Sequence, residues 1–495
     1  MPLPDLIEIV PLEKPVRAEI TVPGSKSITN RALILAALAD GEVTLDGALW
    51  SEDTQIMTEC LQELGFMVDV RPDPSEACNR TITVYGKGGA IPPGGTEQQP
   101  MELFVGNAGT AARFLAAFVC LGKGVYRLHG VPRMHERPQA ALFKALRELG
   151  YRVEAENGND KLPVRICGSD SPSLRSSRGD EAQTKEAGID QSLLTSAATN
   201  EKKCTVSIEE SSQFASALLL CAKTGGWQVS ASGENAEESP YVAMTSKMIE
   251  AFPHRGGRFR VEPDASSGSY FWGAGWLRPI QKDLFDREET PTLTIGEFAR
   301  IVSAYENNEP LPPQQVLSVT VRNWPRSRWQ IDQEFPSILY SLPDSFQMVS
   351  RETHLGDSIM TRIVLAPFTK QKSNLTNLGR LRVQETERVV ALRTELTKCG
   401  AKVIEEGDAL TVYPSKLHGA EIETYNDHRM AMCFAILGLK VPGIKIINPA
   451  CVKKTFPNFF QKLAAPPPHG LGAEIWEIRN GQRTRKLAGE DLFAD

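Results

Sequence analysis

The apolar positions of the chain recur in one pattern: a short polar turn runs straight into an apolar stretch of three or four helical turns. Such segments begin at Gly24-Ser25-Lys26-Ser27, Gly106-Asn107-Ala108-Gly109-Thr110, Ser211-Ser212-Gln213, Asp264-Ala265-Ser266-Ser267, Gly356-Asp357-Ser358-Ile359 and Asn426-Asp427-His428-Arg429, and they predict helices. Three helix ends also match one another, at Leu64-Gly65-Phe66, Leu149-Gly150-Tyr151 and Cys399-Gly400-Ala401; glycine there supplies the left-handed residue between helix and strand. Alternating or β-branched runs at 18–22, 80–84, 205–208 and 410–412 read as strands. The expectation is an α/β fold built from a repeated helix-strand unit.

Two stretches break the rhythm. Residues 168–203 are rich in Ser, Asp, Glu, Lys and Gly, and residues 277–313 are polar and contain proline; both are expected to be surface insertions. The charged tail after Ala465-Pro466-Pro467-Pro468 is expected to be peripheral. At 495 residues the chain exceeds one ordinary domain of roughly 100–200 residues, so several cores or one repeated unit are implied.

Composition then excludes whole classes. With 41% hydrophobic and 23% charged residues the chain is not disordered, collagen-like or coiled coil. A net charge of −6 gives no general attraction to nucleic acid or to an anionic membrane, so any anion site is local. Nine scattered cysteines without a C-x-x-C pair read as a reduced, cytoplasmic chain. The acidic start MPLPDLIEIVPLEK, and apolar runs far short of the roughly 18 residues of a membrane span, point to neither secretion nor insertion. Seven histidines without an H-E-x-x-H or clustered spacing support no metal site.

The polar turns carry the candidate chemistry. Lys26 lies between Ser25 and Ser27 at a helix start, with Arg31 a turn later; free backbone N–H groups, an ammonium and a guanidinium make an anion site. Gly24-Ser25-Lys26-Ser27 is not a Walker A loop, which disfavours ATPase chemistry. Asn107, Gly109, Thr110 and Arg113 form a second such turn, and Arg133 to Pro138 concentrates cations ahead of a helix. Ser211 and Ser212 form a third hydroxyl-rich start. In the second half stand Asp357, the i, i+3 pair Glu385 and Arg388, then His428, Arg429 and Lys454. Each alone is equally an ordinary cap, tight turn, solvated charge run or surface ion pair. Together, many cations and few acids suit phosphorylated or carboxylated substrates and proton transfer.

The motifs PGSKSITNRALILAALA, LFVGNAGTAARFLAA, GVPRMHERP, SSQFASALLL, DASSGSYF, GDSIMT, RVQETER, YNDHRMAM and KKTFPNFF run in one order along most of the chain. In this the chain resembles the 5-enolpyruvylshikimate-3-phosphate synthase family. The resemblance implies an α/β (α+β) fold of two domains, 23–262 and a discontinuous 1–22 plus 263–495. Each would hold three repeated βαβαββ-type units with helices inside, an inside-out α/β barrel, and the active site would lie in the interdomain cleft. The implied reaction moves the enolpyruvyl group of phosphoenolpyruvate to the 5-hydroxyl of shikimate 3-phosphate and releases phosphate. Neither cofactor nor metal is expected, and the expected state is a cytoplasmic monomer with small-molecule partners only.

Carried over residue by residue, the resemblance places Lys26, Asn107, Gly109, Arg137, Gln213, Arg388, Arg429 and Lys454 around phosphoenolpyruvate. Lys26, Ser27, Arg31, Ser211, Ser212, Gln213, Tyr241, Asp357, Arg380 and Gln384 would hold shikimate 3-phosphate. Asp357 would take the hydroxyl proton, and Glu385 and Lys26 would serve the reacting carbon with help from His428. Mutual repulsion among so many cations leads to the expectation that shikimate 3-phosphate closes the two domains.

The chain departs from the commonest family pattern at Arg380 and Gln384, where many members carry asparagine and lysine. It departs again at Glu238, where serine is common and Ser239 follows, and at Phe114, where proline is common. These changes bear on phosphate contacts and on the response to glyphosate, the family's usual inhibitor. A sister enzyme that loads enolpyruvate onto UDP-N-acetylglucosamine usually carries a reactive cysteine on a mobile loop; no cysteine lies near 133–138. Intact Lys26, Asp357 and Glu385 argue against a non-catalytic anion-binding relative.

Overall fold

The six apolar segments form helices that are buried almost all round, as sequences without a polar face must be. The computed structural model describes residues 3–168, 202–233, 239–277, 318–340 and 348–494. Helices Lys26–Leu38, Gly109–Val119 and Gln213–Gly225 pack on one another, and Ala265–Leu277, Ile359–Leu365 and His428–Gly438 form a second trio. Small side chains let the axes approach: Ala32, Ala36, Ala111, Ala112, Ala116 and Ala117 are all buried in the first trio.

Sheets cover these trios. Three four-stranded sheets share one order, with a parallel pair first and two antiparallel pairs after it. They are Gly257–Arg260, Asp40–Leu49, Asn79–Lys87, Val68–Pro72; then Met101–Phe104, Val125–His129, Val164–Cys167, Arg152–Ala155; then Met348–Ser350, Ser373–Thr376, Ala409–Val412, Val403–Glu406. Two further pairs are parallel, Lys202–Ser207 with Trp227–Ser232 and Ala18–Ile20 with Val319–Val321. The inward faces bury the apolar half of each period-two pattern, as with Val43, Leu45, Ile82 and Val84. No sheet closes on itself among the described residues, so the architecture is a two-body α/β fold with open sheets rather than a closed barrel.

One apolar core draws on residues between Ile28 and Val261, the other on residues from Leu3 to Val22 and from Tyr270 onward. The chain passes between them twice, side by side: Ser25 N donates to Glu262 O at 2.8 Å and Asp264 N to Pro23 O at 2.8 Å. Gly24 is required here, because a Cβ would collide with the Gly47 carbonyl.

The matching helix ends behave as the pattern predicts, with Gly65, Gly150 and Gly400 at φ of 87°, 90° and 92°. The tail does not. Ile475–Arg479 pairs with Leu6–Ile9, and Gln482–Leu487 extends the same five-stranded sheet. Ile475, Leu487 and Leu492 are buried, while Arg483 and Arg485 face outward onto Glu8 and Asp491; residues 482–486 carry no apolar side chain, so no alternation marks that strand in the sequence. Lys202 and Lys203 belong to a strand, and Leu277 ends a buried helix, so the two insertions are narrower than expected at those ends. Residues 169–201 and 278–317 lie outside the described residues, as does Glu238.

Candidate active site

Helices of both trios begin at one cavity between the two cores. In the first trio the N-cap residues Ser25, Ala108 and Ser212 make no side-chain capping bond, so the helix starts offer N–H groups and positive dipole ends to the cavity that Ser25, Gly109 and Ser212 line. In the second trio Asp427 caps its helix, accepting from Arg429 N at 2.8 Å.

Lys26, Ser27, Arg31, Gly109, Arg137, Ser211, Ser212, Gln213, Tyr241, Asp357, Arg380, Gln384, Glu385, Arg388, His428 and Arg429 all line this cavity. Two expected residues stand just behind it. The Asn107 carbonyl accepts from Arg137 NH1 at 3.2 Å, and Lys454 Nζ lies 3.2 Å from Glu385 Oε1. A Cβ on Gly109 would lie 2.7 Å from the Arg137 guanidinium, so glycine lets that cation rest against the helix start.

Three cations surround one carboxylate. Asp357 lies 2.7 Å from Arg351 NH2, 3.3 Å from Arg429 NH2 and 3.7 Å from Arg388 NH1. Burial alone would raise its carboxyl, but Arg429, Arg351 and Arg388 outweigh it and hold the group well below the usual carboxylate range. Glu385 is likewise held low against its own burial by Lys454 and Arg388, the latter at 2.8 Å. His428 is held low as well: burial first, then Arg429, Lys26 and Arg388, outweigh the opposing pull of Glu385 and keep it neutral, and both its ring nitrogens are buried without a hydrogen-bond partner.

Arg31 lines the cavity and is held in place by its own body. Its Nε donates to Thr245 Oγ1 at 2.8 Å, NH2 to Ser216 Oγ at 2.9 Å and NH1 to the Ser27 carbonyl at 3.0 Å. Its guanidinium stacks 5.2 Å from the Phe114 ring, so the departure at Phe114 gives this buried cation a platform. Gln384 accepts from Arg388 NH1. Arg380 NH2 donates to the Ile208 carbonyl at 2.7 Å, crossing from one body to the other.

The structure adds residues to which the sequence assigned no role. Arg113 NH1 donates to Gln213 Oε1 at 2.6 Å, and burial followed by Arg137 pushes its guanidinium down to about 9; a cavity this rich in cations favours an anion. Asp53 pairs with Lys26 Nζ at 2.9 Å. Asp332 accepts from Gly356 N at 2.7 Å and from Ser358 N at 3.1 Å, fixing the backbone on both sides of Asp357. Arg351 and Trp329 also line the cavity. Arg113 sits inside a noted turn, but Asp53, Asp332 and Arg351 belong to no motif, and only the fold brings them in.

The comparisons with known proteins agree on one family. The family described as EPSP synthase (3-phosphoshikimate 1-carboxyvinyltransferase) matches residues 10–178 and 178–463. A relative from Opitutus terrae named 3-phosphoshikimate 1-carboxyvinyltransferase is 35% identical over 475 residues, covering 94% of this chain and 98% of its own. Another of that name from Trichormus variabilis is 33% identical over 462 residues, covering 92% and 98%. EPSP synthase from Acinetobacter baumannii shares the fold with a TM-score of 0.59 at 20% identity, covering 95% of this chain and 100% of that one. The enolpyruvyl transferase NikO from Streptomyces tendae does so with a TM-score of 0.56 at 13% identity, covering 96% and 99%. Matched over nearly its whole length and by relatives above 30% identity, the chain belongs to the EPSP synthase family.

Proposed function

We propose that this chain is a 3-phosphoshikimate 1-carboxyvinyltransferase, moving enolpyruvate from phosphoenolpyruvate to the 5-hydroxyl of shikimate 3-phosphate and releasing phosphate. Family membership supports the reaction, and one geometric observation carries the site. An ionised carboxylate, Asp357, shares a cavity with a second acid and with cations from both bodies, where two multiply charged anions can meet.

In this reading domains 23–262 and 1–22 plus 263–495 each hold three repeated units around inward helices, and the cleft between them is the active site. Asp357 removes the proton of the acceptor hydroxyl as its oxygen attacks C2 of phosphoenolpyruvate. The methylene carbon gains a proton from the Lys26 and Glu385 side of the cavity, giving a tetrahedral intermediate. Loss of phosphate and return of a proton from the new methyl group restore the double bond. Arg137, Arg388, Arg429 and Lys454 neutralise the phosphoenolpyruvate anion, and the helix starts at Ser25 and Ser212 face the acceptor. Neutral His428 is suited to relay a proton and not to add charge.

The test is phosphate release by purified protein with phosphoenolpyruvate and either shikimate 3-phosphate or UDP-N-acetylglucosamine, with and without glyphosate. Release with shikimate 3-phosphate alone is expected; release only with the nucleotide sugar, or with neither, overturns the proposal. Among the described residues no cysteine lines the cavity, which disfavours the nucleotide-sugar reading.

A further inference from the structure

Arg351 follows the short strand Met348–Ser350 and lies outside every motif that the sequence singled out. It is 6% exposed and lines the cavity, and its buried Nε–H has no partner. Among the described residues its side chain makes one hydrogen bond, from NH2 to Asp357 Oδ1 at 2.7 Å. A buried guanidinium that gives one N–H to a carboxylate and leaves another N–H unmet is under-satisfied.

Its surroundings add a like charge. Arg380 lines the same cavity, and its guanidinium is pushed below its usual value by burial and next by Arg351. Arg380 NH2 is tied to the Ile208 carbonyl at 2.7 Å, immediately before the Ser211 and Ser212 turn that opens the helix Gln213–Gly225. Two arginines on one wall, beside a helix start where Ser211 Oγ accepts from Gln213 N and the Ser212 side chain caps nothing, make a site for a doubly charged oxyanion. Gln384, which brings no charge, is engaged with Arg388.

We infer that Arg351 is an acceptor-binding residue of this chain: with Arg380 it takes the phosphate monoester of the acceptor, and through its bond to Asp357 it sets that carboxylate against the acceptor hydroxyl. One guanidinium thus links recognition of the phosphate to placement of the base. Once the phosphate draws on Arg351, less of its charge bears on Asp357, so the carboxylate becomes a stronger base when the acceptor is present. The other groups facing Asp357 are Arg388, Arg429, Tyr241 and Asp332, and they are unchanged by this exchange. The inference rests on the transferase reading above.

The test measures equilibrium binding of shikimate 3-phosphate and of shikimate, which lacks the phosphate, to the full chain and to Arg351→Gln and Arg351→Lys. Arg351→Gln is expected to weaken shikimate 3-phosphate binding about 30-fold or more, to change shikimate binding by less than about threefold, and to move the acid limb of kcat/KM to higher pH. Arg351→Lys should recover part of the loss, and a thermal midpoint close to that of the parent shows the variants folded. Unchanged binding of shikimate 3-phosphate, or equal losses for both ligands, overturns the inference. A parent chain that binds no shikimate 3-phosphate overturns the transferase reading itself, an outcome distinct from a parent that binds while Arg351→Gln binds equally well.

Discussion

Arg388 and Asp427 meet at 2.7 Å between Nε and Oδ2, with 1% and 0% of their side chains exposed. The same guanidinium reaches Glu385 at 2.8 Å through NH2, so one buried cation ties the capped start of His428–Gly438 to an acid of the site.

Asp427→Asn keeps the shape and the cap but leaves Arg388 with one less charge against it in a closed environment. Urea unfolding should show a loss of about 3–5 kcal/mol, the range for breaking a buried pair. Arg388→Met added to Asp427→Asn should cost still more, because Glu385 and Asp357 then lose the cation they share; a double variant as stable as the single one contradicts this account.

Asp357→Ala removes the base assigned to the acceptor hydroxyl while leaving the helix starts intact. Turnover should fall about 10²–10⁴-fold, with shikimate 3-phosphate binding still measurable by calorimetry. Near-normal turnover would remove Asp357 from its proposed role.

The titration directions set an acid-sensitive stability. Asp357 and Glu385 are depressed in the fold, so their stabilisation is complete above their unfolded values of about 4 and is lost as pH falls below that. His428 is depressed too; its cost therefore begins as pH drops through about 6.5, at up to about 1.4 kcal/mol per pH unit for one proton. Urea midpoints should fall between pH 7 and pH 5 (both about these values, chosen to bracket histidine titration). His428→Gln should flatten that fall, and an identical slope in the variant would argue against a buried neutral imidazole.

Removing the chain after Ala473 strips two strands from the sheet that holds Leu6–Ile9 and opens Ile7 and Ile9 to water. Burial of Ile475, Leu487 and Leu492 contributes roughly 1.5–3 kcal/mol each, so the truncated chain should unfold at much lower urea or fail to stay soluble. Unchanged unfolding would return the tail to the periphery.

Arg380 spans the cleft to Ile208, and Trp329 lies 5.9 Å from Phe259, nearly parallel at 2°, at the edge of the same cavity. Adding shikimate 3-phosphate should reduce the radius of gyration in small-angle scattering and change tryptophan emission, an effect lost in Trp329→Phe for the second readout. No change in either measurement counts against substrate-driven closure.

Chain order carried much of this protein in plain view. Helices that must be buried all round are written as apolar runs after polar turns, because a helix start needs free N–H groups and a buried helix tolerates no polar face. The glycine-ended helices and the polar turns that line the cavity could be read for the same reason: local geometry is encoded locally. The tail sheet was hidden because residues 482–486 are all polar: that strand is placed by backbone pairing with Ile475–Arg479, which leaves no hydrophobic pattern.

What only the tertiary structure decided is which charges meet. Asp53, Asp332 and Arg351 have no local signature. Their roles follow from distances set by packing within each body, such as Arg351 to Asp357 at 2.7 Å and Lys26 to Asp53 at 2.9 Å. Electrostatic interaction depends on separation and burial in space, quantities that residue spacing along a chain does not contain.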